Sequence, residues 1–525
     1  MSLSTGKKLL ALVTAVILLL VTVAPVVALS WGFIEAVLFH SEPLRFAVNV
    51  KLLCQSVGMT LMTALICTAS GFLVALAVWM TRPADAGKIG LVSFALMLLP
   101  AFIHVQAWIF FMDRLANSIN GLLGTSLNFS SYFAVVLTQT FAGLPLPAGL
   151  ILLALAGIPI EIQNMVKLDR PDTTAFFKIY FPYLIPAIGL SIILIFLLNI
   201  NDYGIASVFG VNSYALDLFA QFSSGMSVFG VFFNGLPLML LSIGALALLG
   251  RTVLNMDFSL GGTTPENPFV QSLMLWALAV PGLIIAGLFI VIPGINLILE
   301  TIGSRDISGV LGAAMPEILY GMAVSGLAAV ISLIPAILFA ALFYKSFQDK
   351  LVRGPLILAL AAIPFLIPGP VLGLALIRVW NTGLLGGIYR SPLMPVIGLV
   401  AKYAFIEALL LAIALAALDP NFLDNIQVHW PGLKSAVGCL LHLIGRQCAA
   451  AMLIVFVLSM GEFGVSLLIM PPGYQTLTIK IYNYLHYGAS DVVAVLCLFM
   501  VLLMGLVTMA LFWLLSGGKN EKNDN

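Results

Sequence analysis

Long, uninterrupted apolar runs constrain the fold of this chain more than any other feature. Each is about as long as the roughly 20 residues that a helix needs to cross the hydrocarbon core of a bilayer. Only helices and closed barrels satisfy their backbone polar groups there, and runs without strict alternation favour helices. The sequence therefore predicts an all-α polytopic membrane protein of about 12 transmembrane helices. The predicted spans are 9–30, 57–80, 88–111, 132–156, 184–200, 228–250, 269–293, 317–344, 355–377, 393–417, 447–469 and 492–515.

The composition excludes several classes of protein. Only 9% of the 525 residues are charged, whereas a soluble domain has about 25%. The net charge of +1 argues against a nucleic-acid partner. The scattered cysteines and histidines have no metal-binding or disulfide spacing, and no G-x4-G-K-[ST] phosphate loop occurs. We therefore expect neither catalysis nor a metal or cofactor bound by this chain.

The positions of lysine and arginine predict the orientation in the membrane. With the N-terminus inside, 15 of these residues are cytoplasmic and 7 are external, while Lys402 lies within a span. Lys7 and Lys8 precede an apolar run that resembles a signal peptide but is long enough for a retained first span. Both termini and the loops at 157–183 and 418–446 are then expected in the cytoplasm.

The two halves of the chain share a sequence pattern. Residues 196–205 and 456–465 both follow F-x-L-x-x-x-[DE]-[YF]-G-[IV], at an offset of 260. A turn-rich polar linker at 251–268 separates the halves. Each half has six predicted spans, an even number, so both halves would begin on the same side of the membrane. They would then be parallel six-helix repeats with a pathway between them.

The polar loop at 157–183 carries the strongest local signal. Pro159 can begin a helix, and Glu161 lies in its first turn, where a negative charge is favourable. Ile162, Met165 and Val166 have the spacing of one apolar helix face. The loop could dock on a partner, or it could be a solvated connection without one.

With this loop and the duplication, the sequence resembles the fused permeases of type I ATP-binding-cassette (ABC) importers. The family's loop pattern is EAA-x3-G-x9-I-x-L-P. Residues 179–182 fit its end, and 163–165 and Asp169 occupy the EAA and glycine positions. In the second half, 423–425 fall on EAA and His429 falls on glycine. The resemblance assigns ATPase coupling to Glu161, Ile162, Gln163, Asn164, Met165, Val166, Asp169, Pro182, Asp424, Asn425 and His429.

The end of the second half is similar to the group of permeases for iron(III), thiamine and polyamines, on the segments 459–464, 471–473 and 481–488. The resemblance implies a subunit of the bacterial inner membrane that imports a substrate delivered by an extracytoplasmic binding protein. Two copies of a cytoplasmic ATPase would supply ATP and Mg²⁺. The implied divisions are 1–55, a first span and outer loop; 56–250, permease domain 1; 251–268, the linker; 269–316, the seventh span and outer loop; 317–515, permease domain 2; and 516–525, a polar tail.

Four charged residues are candidates for the pathway. Asp202 and Glu462 end their spans at equivalent positions of the two repeats, as a gate or as solvated helix ends. Lys402 and Glu407 lie in the tenth span, where charges are costly and usually face a cavity or a partner. Five residues apart on a helix they point about 140° from each other, so a direct pair is poor and Lys402 could snorkel instead.

Two other functions remain open. A secondary transporter can also have two six-helix halves, but it usually needs ion-coupling residues within its spans. A multispan enzyme would need a cluster of catalytic polar residues at one membrane face. The identity of the substrate is left open.

Overall fold

A computed structural model of the protein describes residues 27, 48–97, 101–124, 129, 131–169, 172–226, 228–254, 267–304, 306–348, 362–416 and 433–516. These residues form helices and connecting turns, with no strand among them. The expected all-α class is thereby confirmed. The expected span at 9–30, the polar tail and the residues Asp424, Asn425 and His429 lie outside the described residues, apart from residue 27.

The helices of the first half run from α1 to α10. Their bounds are α1 Val50–Thr81, α2 Ala86–Met97, α3 Ala101–Leu123, α4 Ser131–Gly143, α5 Pro145–Ala156, α6 Ile160–Asp169, α7 Phe181–Ile200, α8 Gly204–Val208, α9 Tyr214–Ser223 and α10 Val228–Leu254. A helical turn at Thr173–Ala175 and a π-helical turn at Phe176–Tyr180 lead directly into α7.

The helices of the second half run from α11 to α19. Their bounds are α11 Leu273–Gly303, α12 Ile307–Gln348, α13 Gly369–Trp380, α14 Gly386–Tyr389, α15 Met394–Ala416, α16 Leu433–Met460, α17 Ser466–Ile469, α18 Leu477–Tyr487 and α19 Ser490–Ser516.

Eight helices in the described part of the chain are long and apolar enough to cross a membrane. They identify a multi-pass membrane protein and coincide with eight of the predicted spans. They are Val50–Thr81, Thr173–Ile200, Gly230–Leu248, Leu273–Gly303, Ile307–Ile337, Met394–Leu415, Leu443–Met460 and Ser490–Leu511. The predicted span 132–156 is a pair, α4 and α5, bent by 41°, where Pro145 and Pro147 remove backbone donors.

Two further predicted spans are not single long helices, and a third ends earlier than expected. Residues 88–111 divide between α2 and α3, and the part of 355–377 that is described includes the short helix α13. The predicted end of span 447–469 was wrong, because α16 stops at Met460 and a turn segment at residues 461–465 follows. This break proves to shape the candidate site.

Two glycines let helices of this bundle approach closely. A Cβ on Gly71 of α1 would lie 2.6 Å from the ring of Pro147 on α5. A Cβ on Gly282 of α11 would overlap the backbone carbonyl of Leu73 on α1. Helix α11, the first of the second half, therefore lies directly against α1 of the first half, and it also packs on α3 and α19. The largest cluster of buried side chains likewise includes residues from both halves.

Candidate functional site

A cavity of about 250 Å³ lies where the broken ends of α7 and α16 meet. Its polar lining comes from both halves of the chain. The residues used below are Asn201, Asp202, Tyr203, Lys402, Tyr403, Glu462 and Phe463. Three of the four pathway candidates from the sequence, Asp202, Lys402 and Glu462, are thus brought together.

The two acids hold the two helix breaks in the same way. Asp202 follows the end of α7, and its Oδ1 accepts a hydrogen bond from the Gly204 N–H at 3.1 Å, at the start of α8. Glu462 follows the end of α16 and accepts from the N–H groups of Val465 and Ser466 at 2.9 and 3.0 Å, at the start of α17. Each carboxylate therefore satisfies N–H groups that a helix start leaves unpaired.

Lys402 pairs with Glu462 at the wall of the cavity. The Lys402 Nζ lies 2.8 Å from the Glu462 Oε1, and the side chains are 20% and 1% exposed. The Ser466 hydroxyl donates to the other carboxylate oxygen of Glu462 at 2.8 Å. Removing two charges from water costs desolvation free energy. Their attraction offsets this cost only when additional hydrogen bonds satisfy the remaining lone pairs and protons, as they do here for Glu462. Lys402 therefore faces both a cavity and a charged partner.

Aromatic residues join the two halves beside the ion pair. The Tyr203 hydroxyl donates to the Gly464 carbonyl at 3.3 Å, and its ring lies 5.4 Å from the ring of Phe463. Gly464 in turn packs closely on Gly369 of α13. A Cβ on Gly369 would lie 2.9 Å from the Gly464 carbonyl carbon, so only a glycine at 369 allows these two backbone segments to come this close. Sequence reasoning had not identified Tyr203 as a site residue, although its place in the shared pattern could have indicated it.

A second contact between the halves lies next to this one. The hydroxyl groups of Ser207 on α8 and Tyr482 on α18 are 2.9 Å apart. Burial raises the pKa of the Tyr482 phenol above its ordinary value, although the hydrogen bond to Ser207 acts in the opposite direction. The phenol therefore stays protonated at neutral pH and can only take part as a neutral group.

Glu407 lies apart from the cavity. Its side chain is fully buried and hydrogen-bonded to the Ser332 hydroxyl of α12. Its neighbours on α15, Phe405 and Ala408, belong to a buried apolar cluster that also contains Ala336 and Cys448. Of the four pathway candidates it is the one that the structure does not bring to the site.

The predicted coupling loop contains a helix, α6, at Ile160–Asp169. Pro159 directly precedes it, and the Gln163 side chain donates back to the Ile158 carbonyl at 2.8 Å. Gln163 and Val166 are 2% and 1% exposed. Val166 packs with the aromatic cluster of Trp79, Phe176, Tyr180 and Phe269, whose rings lie 4.9 to 6.3 Å apart.

The other face of α6 is exposed, and it differs from the predicted apolar face. Met165 is 49% and Leu168 is 88% exposed, whereas Val166 and the partly buried Ile162 face inward. Glu161 and Asn164 are exposed, as is Pro182 near the start of α7. Asp169 is the last residue of α6. A partner would therefore meet Met165 and Leu168, and not Val166.

A comparison with protein-family models finds no match, and neither does a comparison with curated proteins. Within the described part of the chain, no group of three or more His, Cys, Asp or Glu residues is placed to hold a metal ion.

Proposed function

We propose that this chain is the membrane permease of an ATP-driven importer of the type I ABC class. The observation that carries the proposal is α6, a helix with an anchored face and an exposed apolar face, inside a polar loop between two apolar segments. Docking of an ATPase needs an exposed surface, and transmission of its movement needs a rigid attachment. Helix α6 has both.

The attachment of α6 would pass a movement to three spans. Val166 packs on the cluster that contains Trp79 from the end of α1, and Phe176 and Tyr180 from the turn leading into α7. The Thr173 hydroxyl lies 2.9 Å from the Ser272 hydroxyl, which caps α11. Displacement of α6 would therefore press on α1, α7 and α11 together. Since α7 ends at the cavity, this path joins the proposed ATPase surface to the proposed pathway.

The order of helices supports a duplicated permease. In each half a span ends, at Ile200 or Met460, and a turn with the acid follows. A short helix, a second short helix and a final long helix come next: α8, α9 and α10 in the first half, and α17, α18 and α19 in the second. Parallel repeats with a polar cavity at their interface are one architecture of transporters.

The ATPase surface can be tested by co-purification. Each importer-type ABC ATPase of the source genome would be co-expressed with the tagged chain, one at a time. We expect one to co-purify, and the double change Met165→Glu with Leu168→Glu to reduce its recovery roughly tenfold or more, because burial of the two side chains is lost and two like charges are added.

Leu384→Glu is the matched control, since Leu384 is 97% exposed in the segment between α13 and α14. It should leave the recovery of the ATPase unchanged. Undiminished recovery with the α6 variant, or no ATPase recovered by the wild-type chain, would contradict the proposal.

The proposed orientation has its own test. Single cysteines placed at Leu168 and Leu384, in a chain whose natural cysteines are replaced by serine or alanine, should react with a membrane-impermeant maleimide from opposite sides. In whole cells we expect labelling at position 384 only, and labelling at 168 only after the membrane is opened. Labelling of both positions in whole cells would place α6 outside and exclude a cytoplasmic ATPase there.

A secondary transporter is the second candidate, and one observation favours it. Asp202, Lys402 and Glu462 form a cluster of charges inside the bundle, as ion-coupled carriers require. Uptake into proteoliposomes separates the two. A secondary transporter would respond to an imposed proton or sodium gradient without ATP, whereas the proposed importer would need the ATPase and ATP.

A further inference from the structure

Helix α18 belongs to the second half of the chain, but one of its faces packs on the first half. Its Leu485 packs on a cluster whose other members are first-half side chains from α1, α3, α4, α8 and the turn after α8. The Tyr482 hydroxyl lies 2.9 Å from the Ser207 hydroxyl on α8. Residues three apart on a helix share a face, so Tyr482 and Leu485 form one contact surface between the halves.

The other side of α18 is fixed to its own half. Lys480 points roughly 140–160° away from Tyr482 and Leu485 around the helix axis. Its Nζ lies 2.9 Å from the Glu317 Oε2 on α12 and donates to the Ala313 carbonyl at 2.7 Å, and the two charged side chains are 11% and 16% exposed. The hydrogen bonds of charged groups are stronger than those of neutral ones, so α18 is held more firmly on α12 than on α8.

The first-half face of α18 supports the wall of the cavity. Phe463 lines the cavity, and its ring lies 4.1 Å from the ring of Tyr482. Ala101 and Ile205 also line the cavity, and both belong to the cluster on which Leu485 packs. Separation of α18 from the first half would therefore uncover one side of the cavity wall.

The cavity and α18 lie near the membrane face opposite α6. The helical segment Thr173–Ile200 has 28 residues, about 42 Å at 1.5 Å per residue, which exceeds the roughly 30 Å of the hydrocarbon core. Helix α6 precedes this segment and the cavity lies at its end. The lining residues Leu197 and Leu458 come before the two helix breaks, whereas α8 and α18 follow them. Helices α8 and α18 therefore lie on the side of the cavity that is farther from α6.

The chain turns sharply on both sides of α18. Gly473 precedes the helix with a φ of 86°, and Gly488 ends it with a φ of 72°, a conformation that glycine adopts at little cost. Movable elements commonly pivot on a few residues at their ends. The two turns therefore separate α18 from the preceding helix and from α19.

We propose that α18 is a movable closure of the cavity toward the membrane face opposite α6. It opens by leaving α8 and the first-half cluster, while the ion pair of Lys480 and Glu317 stays intact and holds it on α12. As a step of transport this rests on the proposed function, but the closure itself needs no ATPase.

Access to a cysteine in the cavity tests the closure. Ile406→Cys places it on the wall formed by α15, in a chain whose natural cysteines are replaced by serine or alanine. A membrane-impermeant maleimide is applied to one face at a time, in sealed vesicles of both orientations. Tyr487→Cys in a separate chain identifies the face of α18, since Tyr487 is 83% exposed. From that face we expect position 406 to react much more slowly than position 487.

The double change Tyr482→Phe with Leu485→Ala should raise the rate at position 406 from the α18 face roughly tenfold or more, because a hydrogen bond and an apolar contact of the closed state are lost. The rate from the α6 face should not rise. Tyr482→Phe alone keeps the ring and should give a smaller rise of roughly threefold. Tyr487→Phe with Leu502→Ala is the matched control, since these side chains are 83% and 62% exposed, and it should react like the parent chain.

Distances between spin labels test the pivot on α12. One pair joins Tyr487→Cys on α18 to Leu122→Cys at the end of α3, and the other joins it to Met315→Cys on α12. Leu122 is 85% and Met315 is 44% exposed. We expect Tyr482→Phe with Leu485→Ala to add a population with a longer distance for the first pair and to leave the distance of the second pair unchanged.

The parent chain alone decides whether the cavity is closed, even if the double variant fails to fold. Reaction at position 406 as fast as at 487 from the α18 face would overturn the closure. An unchanged rate in the folded variants would overturn the role of Tyr482 and Leu485, and equal lengthening of both label pairs would overturn the pivot. None of these measurements involves an ATPase, so failure to recover one would leave this inference standing, and the two proposals fail separately.

Discussion

Replacing Lys402 with methionine is expected to lower the free energy of unfolding by about 3–5 kcal/mol, the usual cost of leaving one partner of a buried ion pair alone. Glu462 is 1% exposed on its side chain and lies 2.8 Å from the lysine. Without Lys402 its charge keeps the hydrogen bonds from Val465 and Ser466, but it loses the only opposite charge within ion-pair distance among the described residues.

Unfolding by SDS in mixed micelles, followed by tryptophan fluorescence, would measure this loss. Lys88→Met is the matched control, because Lys88 pairs with Asp85 at 3.6 Å on an exposed surface, with 75% of its side chain accessible. Such exposed pairs contribute about 0–1 kcal/mol. Equal effects of Lys402→Met and Lys88→Met would contradict the buried pair.

The double variant Lys402→Met with Glu462→Gln separates pairing from packing. Removing both charges leaves neither member of this ion pair without its partner, so we expect the double variant to be more stable than the sum of the two single effects predicts. The coupling energy of such neighbours is about 0.5–3 kcal/mol. Strict additivity of the two changes would mean that the two charges do not interact in the folded protein.

The sequence was informative about helices because a long apolar run in a bilayer can satisfy its backbone hydrogen bonds in few structures other than a helix. Eight predicted spans appear as long helices. The helix in the loop at 157–183 also followed from local signals, namely Pro159 and the early acid Glu161. These features depend on residues close together in the chain, which is why a single sequence suffices for them.

The pairing of charges depends on contacts that are distant in sequence. The angle between Lys402 and Glu407 on one helix correctly made a direct pair poor, but it did not identify Glu462, 60 residues further on. Likewise the spacing of Ile162, Met165 and Val166 predicts that they share one helix face. It does not show which side of α6 packs against the rest of the protein. The aromatic cluster around Trp79 decides that, since it buries Val166 and leaves Met165 exposed.

The ends of the spans were least predictable. Apolar sequence resumes at residues 464–469, so the predicted span ran through the turn segment at 461–465. The acid in that turn was visible in the sequence, and so was its counterpart, Asp202. An acid followed by an aromatic residue and a glycine inside an apolar run is therefore a better signal for a helix break than hydropathy alone.

Gly282→Ala is expected to destabilise the protein by about 1–3 kcal/mol, the cost of overfilling a close contact. The added Cβ would overlap the backbone carbonyl of Leu73. Because both groups belong to helix backbones, no side-chain rotation can make room, and α11 must move away from α1. The change would loosen the close contact between the first helix of the second half and the first half.

Gly287→Ala, on the same helix, is the matched control. No atom lies within 4 Å of the position that a Cβ would take there, and alanine is favoured over glycine inside a helix by roughly 0.5–1 kcal/mol. The two changes should therefore shift the unfolding free energy in opposite directions in the same SDS titration. A neutral or stabilising Gly282→Ala would mean that α1 and α11 do not cross at this distance.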